Sequence, residues 1–208
     1  MKLYTSPLSS NARRAVLAAL ELGSDVELIN VDLAARQQRQ PGFLHRNPNG
    51  KVPVLEDGDF TLWESYAIMQ YLADRTPGQT LYPTDARGRA DVNRWMYWCA
   101  AQFSVGVAAL NWENFVKSLI GLGAPDPGRV QLGEAQVREC IQVLDAHLAQ
   151  RSYLLGDLFT LADLALVAPF MHEKSAQLPV GDAKHVRRWL AHVQARDSWQ
   201  KTEPERIK

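Results

Sequence analysis

Lys51-Val52-Pro53-Val54-Leu55-Glu56-Asp57-Gly58-Asp59-Phe60-Thr61-Leu62 is the stretch whose reading decides the fold. Two short apolar runs, 52–55 and 60–62, flank Glu56-Asp57-Gly58-Asp59, and the Asp-Gly pair inside that segment is a hairpin signal. Proline donates no ladder hydrogen bond, so Pro53 belongs at the start or the edge of its strand. Toward the N-terminus, Lys2–Thr5 is β-compatible, and Ser6-Pro7-Leu8-Ser9-Ser10 punctuates the chain. The stripe Ala12, Val16, Ala19, Leu20 then predicts a helix that stops at Gly23. Val26–Val31 alternates as a second strand, which makes a right-handed βαβ unit with a parallel pair. Residues 34–46 are polar and read as a short surface helix or loop, and 64–75 carry Ala67, Ile68, Tyr71 and Leu72 at helical spacing. Residues 1 to about 76 thus read β-α-β-α-β-β-α around a mixed sheet.

Thr76-Pro77-Gly78-Gln79 and Pro83-Thr84-Asp85 are rich in breakers, and from Arg87 on the pattern changes to long helices. Helices are predicted over 87–120 (with Gly106 as a candidate kink), 130–149, 161–171 and 186–196, with a break at 121–128. The expected organisation is an α/β domain at 1–77, a linker at 78–86 and an all-α helical bundle at 87–208. The 208 residues carry 23 Lys+Arg against 23 Asp+Glu, a balance that argues against nucleic-acid or anionic-membrane binding. No run approaches the roughly eighteen apolar residues of a membrane span. Arg13 and Arg14 interrupt the N-terminal apolar run, which is too short for a secretory signal, so a cytoplasmic location is expected. Cys99 and Cys140 show no C-x-x-C spacing and are expected as buried free thiols. The histidines show no metal-ligand spacing and no glycine-rich phosphate loop is present, so neither a metal nor a nucleotide is expected.

A β-α-β-α-β-β-α domain with a proline opening its third strand resembles the thioredoxin fold. There the corresponding bond is cis, and the residue before it turns its backbone N–H and C=O outward as an edge to which a peptide-like ligand can pair. Four collinear elements carry a more specific likeness: Ser9-Ser10 before the first helix, Leu44-x-x-Asn47-Pro48-x-Gly50-Lys51-Val52-Pro53-Val54-Leu55, Glu64-Ser65-x-Ala67-Ile68, and Gly156-Asp157-x-x-Thr160-Leu161-Ala162-Asp163. Together they resemble a bacterial, serine-type member of the glutathione S-transferase family over nearly the whole chain.

The resemblance implies glutathione as co-substrate. It implies that Ser65 meets the γ-glutamyl carboxylate with its hydroxyl and a helix N-terminus. Glu64 would then accept from the ammonium, Val52 before Pro53 would pair with the cysteinyl amide, and Lys51, with Gln38 and Arg39, would reach the glycyl carboxylate. The nucleophile is the ligand's own thiol, whose free pKa of ~8.5 must fall by ~2 units for useful ionisation at neutral pH. That shift equals ~2.7 kcal/mol, about what one charge-assisted hydrogen bond and a helix N-terminus supply. Ser9 aligns best with the serine that does this; Ser10 is the second candidate and Asn11 a minor one. Helix capping explains either serine equally, and Tyr4 lies too early in its strand and is expected in the core.

Thr160-Leu-Ala-Asp163 reads as a capping box that serves folding, with ~1 kcal/mol or more at stake on truncation. Of the aromatic residues from Trp95 to Phe115, Trp112 and Phe115 near the helix end are the expected wall of an apolar electrophile pocket. The resemblance also implies a homodimer. Alternative activities at the same site are peroxide or disulfide reduction, dehalogenation or double-bond isomerisation. The isomerase branch usually carries Ser-Ser-Cys where this chain has Ser9-Ser10-Asn11. A non-catalytic binding or assembly protein on the same scaffold is the remaining alternative.

Overall fold

A computed structural model describes residues 1–203. Strands β1 (Lys2–Thr5), β2 (Glu27–Asn30), β3 (Val54–Asp57) and β4 (Phe60–Trp63) form one sheet in the order β2-β1-β3-β4. β1 and β2 are parallel, with Leu3 opposite Leu28; β1–β3 and β3–β4 are antiparallel. Asp57 pairs with Phe60 across a two-residue turn, and Gly58 supplies its left-handed conformation at φ 62°. The strand opened by the proline starts two residues later than its apolar run: Pro53 has no N–H to give the ladder, and Val54 is the first residue paired. The Val52–Pro53 bond is cis. The polar 34–46 stretch forms a 3-10 turn at Gln37–Arg39 and helix α2 at Pro41–Arg46.

Helix α1 (Ser10–Leu22) ends on Gly23 in the left-handed conformation, and α3 (Ser65–Asp74) packs beside it. The core between strands and helices includes Ala12, Val31, Phe43, Val52 and Val54, with Tyr4 packed against it. Tyr4 meets Phe43 edge-on, and its hydroxyl donates to Glu56 Oε2 at 2.7 Å, so it is a structural residue.

The chain divides into two compact units, Asp85–Gln194 and a unit made of Met1–Thr84 with the segment that begins at Ala195. This differs from the domain organisation expected above, which placed everything after 87 in the helical part. The reason lies in α1. Arg13 is buried there, and its guanidinium lies 3.5 Å from the ring centre of Trp199. It donates to Thr202 Oγ1 and to the Trp199 carbonyl, each at 3.0 Å. A buried cation needs such partners, and they come from helix α10 (Asp197–Lys201) and the residue after it. Glu21 adds a fork with Arg196 and accepts from Ser198.

In the second unit, the helical run expected over 87–120 is present from Ala86 to Leu119 as α4 (Ala86–Trp98), α5 (Ser104–Asn111) and α6 (Lys117–Leu119). These are separated by π-helical turns at Cys99–Phe103 and Trp112–Val116. Gly106, the candidate kink, lies within regular α5 and serves close packing: a Cβ there would sit 2.9 Å from Val137 Cγ2 on α7 (Pro127–His147). The core of this unit holds Phe103, Phe170 and Trp189 in edge and tilted contacts, with α8 (Leu161–Val167) and α9 (Lys184–Gln194) around them. Cys99 and Cys140 are buried and free.

The capping box at Thr160 and Asp163 is present, and it is more than a cap. Asp163 is wholly buried and accepts from the N–H groups of Leu154 (3.0 Å) and Thr160 (2.9 Å), from Thr160 Oγ1 and from Trp189 Nε1 (2.9 Å). One carboxylate therefore ties a loop, a helix start and the central tryptophan of the unit together.

Candidate functional site

The residues singled out in the first unit fall at three places on the sheet's rim. At the first, Ser9 is the N-cap of α1, with extended backbone (φ −109°, ψ 115°), and its Oγ accepts from Ala12 N–H at 3.2 Å. A capping serine spends a lone pair and keeps its proton; Ser9 Oγ–H has no acceptor among the described residues. No acid occupies the first turn of α1, so the positive end of the helix is not neutralised locally. Ser10 is the first helical residue, and its hydroxyl makes no hydrogen bond among the described residues. Of these two serines, Ser9 is the one both held in place and left with a proton to give.

At the second place, Glu64 and Ser65 open α3. Glu64 adopts φ 75°, ψ 112°, a strained conformation for a residue with a side chain, of the kind that costs about 1–3 kcal/mol and gathers at functional sites. It throws the exposed Glu64 side chain outward while Ser65 turns inward, only 3% exposed. Glu64→Gly is expected to relieve this strain and raise the melting temperature, by the equivalent of about 0.5–2 kcal/mol, while weakening retention on immobilised glutathione. Thermal unfolding and affinity retention, moving in opposite directions, check it.

Asn11 and Ser65 are brought together by a residue the sequence reading did not nominate. Arg14 is fully buried, and its Nη1 donates to Asn11 Oδ1 at 2.8 Å and to Ser65 Oγ at 2.9 Å, with the guanidinium 4.3 Å from the ring centre of Tyr66. Two consequences follow from donor and acceptor counting. The Ser65 oxygen is already accepting, so its proton is available to an incoming anion. The Asn11 carbonyl is turned to Arg14, so its amide hydrogens face away from it. Arg14 also puts a buried positive charge between the two helix starts. The usable signal was α1 itself: with Ala12–Ala19 buried all round, an arginine inside that run must be buried and partnered. Arg14→Lys keeps the charge and loses the planar fork; it is expected to raise KM for glutathione ~10-fold, the worth of one charge-assisted hydrogen bond, as steady-state kinetics against glutathione will show.

At the third place, the loop before Pro53 is locked by Asn47, 3% exposed, whose amide donates to the Lys51 carbonyl at 2.7 Å and whose Oδ1 accepts from Asn49 N–H at 3.0 Å. Val52 N–H and C=O make no hydrogen bond among the described residues, which leaves an extended, unpaired backbone edge. Gly50, at φ 59°, is pressed against the 3-10 turn: a Cβ would sit 2.8 Å from Arg39 Nη1 and 2.9 Å from the Gln38 carbonyl. This contact brings Gln38 and Arg39 beside Lys51, and the buried Gln38 Oε1 has no partner among the described residues. Trp112 and Phe115 lie in the second unit, on the π-helical turn Trp112–Val116, each a little over one-third exposed.

A thioredoxin-like sheet carries an unpaired backbone edge at Val52 and two helix N-termini that each present a serine proton, groups that can pair with a short extended ligand bearing anionic groups. The chain matches the family described as "Glutathione S-transferase, N-terminal domain" over residues 1–74 and "Glutathione S-transferase, C-terminal domain" over residues 129–197. It is 37% identical over 207 residues to "Glutathione S-transferase 3" of Zea mays, covering 97% of this chain and 92% of that protein. Among solved structures, a theta class glutathione S-transferase from the citrus canker pathogen Xanthomonas axonopodis pv. citri with glutathione bound is 31% identical. It superposes with a TM-score of 0.87 over 97% of this chain and 95% of that one. Glutathione S-transferase I from maize, in complex with an atrazine glutathione conjugate, is 30% identical with a TM-score of 0.86, over 99% and 97%. The chain belongs to the glutathione S-transferase family.

Proposed function

We propose that this protein is a glutathione transferase in which Ser9 donates its hydroxyl proton as a hydrogen bond to the glutathione thiolate, which then attacks apolar electrophiles. The observation that carries this reading is the Ser9 hydroxyl, fixed by accepting from Ala12 N–H and left with an unspent proton at the start of α1. On binding, the thiol proton leaves to solvent and the thiolate is stabilised by Ser9 Oγ–H, by the α1 N-terminus and by the amide of Asn11. With an aryl halide, the sulfur forms the new C–S bond and the halide departs with the electron pair of the C–X bond. Ser65 and the α3 N-terminus hold the γ-glutamyl carboxylate, and Glu64 accepts from the ammonium. The Val52 backbone before Pro53 pairs with the cysteinyl amide, while Lys51, Gln38 and Arg39 meet the glycyl carboxylate.

In this reading the first unit holds glutathione, and Trp112 and Phe115 are apolar contacts for the electrophile. The maize relative bound to an atrazine glutathione conjugate supports an apolar aromatic electrophile. No helix among the described residues is long and apolar enough to cross a membrane, and we place the protein in the cytoplasm as a homodimer engaged in detoxification. Exposed Phe60 and Trp63 on the edge strand β4 are the apolar surface such a dimer would cover. Retention on immobilised glutathione, followed by conjugation of a generic aryl halide, tests the reading: retention with turnover supports it, and failure of both would overturn it in favour of a non-catalytic scaffold.

A further inference from the structure

Residues 31–53 connect β2 to β3, and this one connection carries Gln38, Arg39, Lys51 and Val52. Internally it is a single body. Asn47 donates to the Lys51 carbonyl, Arg39 Nη1 donates to the Asn49 carbonyl at 3.3 Å, and Gly50 is pressed against Gln38 and Arg39. Its ties to the sheet are few. Leu33 and Phe43 pack with Val54 and Tyr4 in the core cluster on that side. Among the described residues, a single hydrogen bond joins residues 32–51 to the rest of the protein: Arg46 Nε donates to Glu56 Oε1 at 2.7 Å.

That bond is held from both sides. Tyr4 on β1 donates to Glu56 Oε2 at 2.7 Å, so both carboxylate oxygens are engaged and the acceptor is fixed. Tyr4 pairs with Val54, two residues before Glu56 on β3, which puts the three side chains on one face of the sheet. Arg46 is the last residue of α2; its Nη1 donates back to the Gly42 carbonyl at 2.7 Å, and its guanidinium stands 4.9 Å from the centre of the Tyr4 ring. The ring of Tyr4 also meets Phe43 edge-on. Phe43 alone would leave α2 free to pivot, because an apolar contact has no direction. The charge-assisted bond at Arg46 supplies the direction, and the next residue, Asn47, passes it to Lys51.

We propose that Arg46 is a positioning residue for the glycyl end of glutathione: held by Glu56 and Tyr4, it sets the place of residues 32–51 on the sheet and with it the reach of Gln38, Arg39 and Lys51 to the glycyl carboxylate. This rests on the glutathione site proposed above. Ser9 and Ser65 lie on α1 and α3, outside the connection, so the sulfur chemistry does not depend on the clamp.

Steady-state kinetics of the full chain with an aryl halide, using glutathione and γ-glutamylcysteine as alternative thiols, test this; the second thiol lacks the glycine. Arg46→Met keeps the stem and loses the guanidinium. It is expected to raise KM for glutathione ~5–10-fold, below the full worth of a charge-assisted hydrogen bond because the effect is indirect, with kcat within about twofold of the parent. The preference for glutathione over γ-glutamylcysteine in kcat/KM is expected to shrink at least about threefold, since only glutathione uses the glycyl contacts. Arg46→Lys, which keeps the charge without the fork, is expected to fall between the two. In the free protein, amide hydrogen exchange is expected to quicken at 37–46 in Arg46→Met and to stay unchanged in α1 and α3. A variant that is merely less stable would lose kcat through a smaller active fraction and keep both KM and the thiol preference. That result, or unchanged exchange at 37–46, would overturn the assignment while leaving the transferase reading intact. A parent that turns over neither thiol would sink the transferase reading and this assignment together.

Discussion

Ser9→Ala is expected to lower kcat/KM for aryl halide conjugation ~3–25-fold at neutral pH, with KM for glutathione nearly unchanged. The lost contact is a hydrogen bond to a charged sulfur, worth about 1.5–3 kcal/mol, and each 1.36 kcal/mol moves the thiol pKa by one unit. The loss therefore comes from a smaller thiolate fraction, and it should shrink as the pH is raised past the new pKa, where the variant's thiolate is also fully formed. At that point the more basic sulfur is the better nucleophile, with a Brønsted slope of about 0.4–0.5, so the variant is expected to match or exceed the parent per thiolate. Ser10→Ala, by contrast, is expected to lose less than about threefold, because nothing among the described residues fixes its hydroxyl. The pH dependence of kcat/KM for both variants separates the two serines.

Asp163→Ala is expected to cost about 3–5 kcal/mol of stability, a large part of the whole for a typical domain. The sequence motif alone supports a loss nearer ~1 kcal/mol, the value of a helix cap. The difference comes from Leu154 N–H and Trp189 Nε1–H, buried donors that would be orphaned along with the cap. Burial pushes the Asp163 carboxyl up to about 6, against hydrogen bonds from Leu154, Trp189 and Thr160 that act to lower it. A native carboxyl that holds its proton to higher pH than the unfolded chain binds more protons between about 4 and 6. Stability therefore falls as the pH rises through that window and is flat in this term above it. Asp163→Asn cannot titrate, so the gap in denaturation midpoint between the parent and this variant is expected to change across about pH 4–6 and to be constant above about 7. Chemical denaturation at a series of pH values checks both parts.

The first unit was legible because its signals are local. A proline between apolar residues, an Asp-Gly turn and a serine before an apolar stripe each act within a few residues, and the structure puts β3, β4 and the α1 cap where those signals lie. Where signals are non-local, the sequence misled. Arg13 and Arg14 read as breaks in an apolar run, yet both are buried, one against Trp199 from the far end of the chain and one between Asn11 and Ser65. A helix pattern does not say that a cation will find its partners 51 or 186 residues away. The same limit hid the return of the chain after Ala195 to the first unit. The π-helical turns at 99–103 and 112–116 were invisible for another reason: each shifts the helical phase by about one residue, which a tolerant reading of a 3.6 period absorbs. In the candidate site, residue types and positions were legible from the motifs, whereas the direction of each proton was not. Only the hydrogen bonds show that Ser9 and Ser65 each accept on one side, which leaves the proton for the other.

The central claim is that Ser9 lowers the pKa of the bound thiol. Ultraviolet difference titration of the thiolate in the binary complex with glutathione measures that pKa without any electrophile. The account predicts an apparent pKa roughly 2 units below the free thiol value of ~8.5 for the parent and for Ser10→Ala, and a return to within about 1 unit of the free value in Ser9→Ala. A parent complex that titrates like free glutathione, or a Ser9→Ala complex that keeps the lowered value, would contradict it.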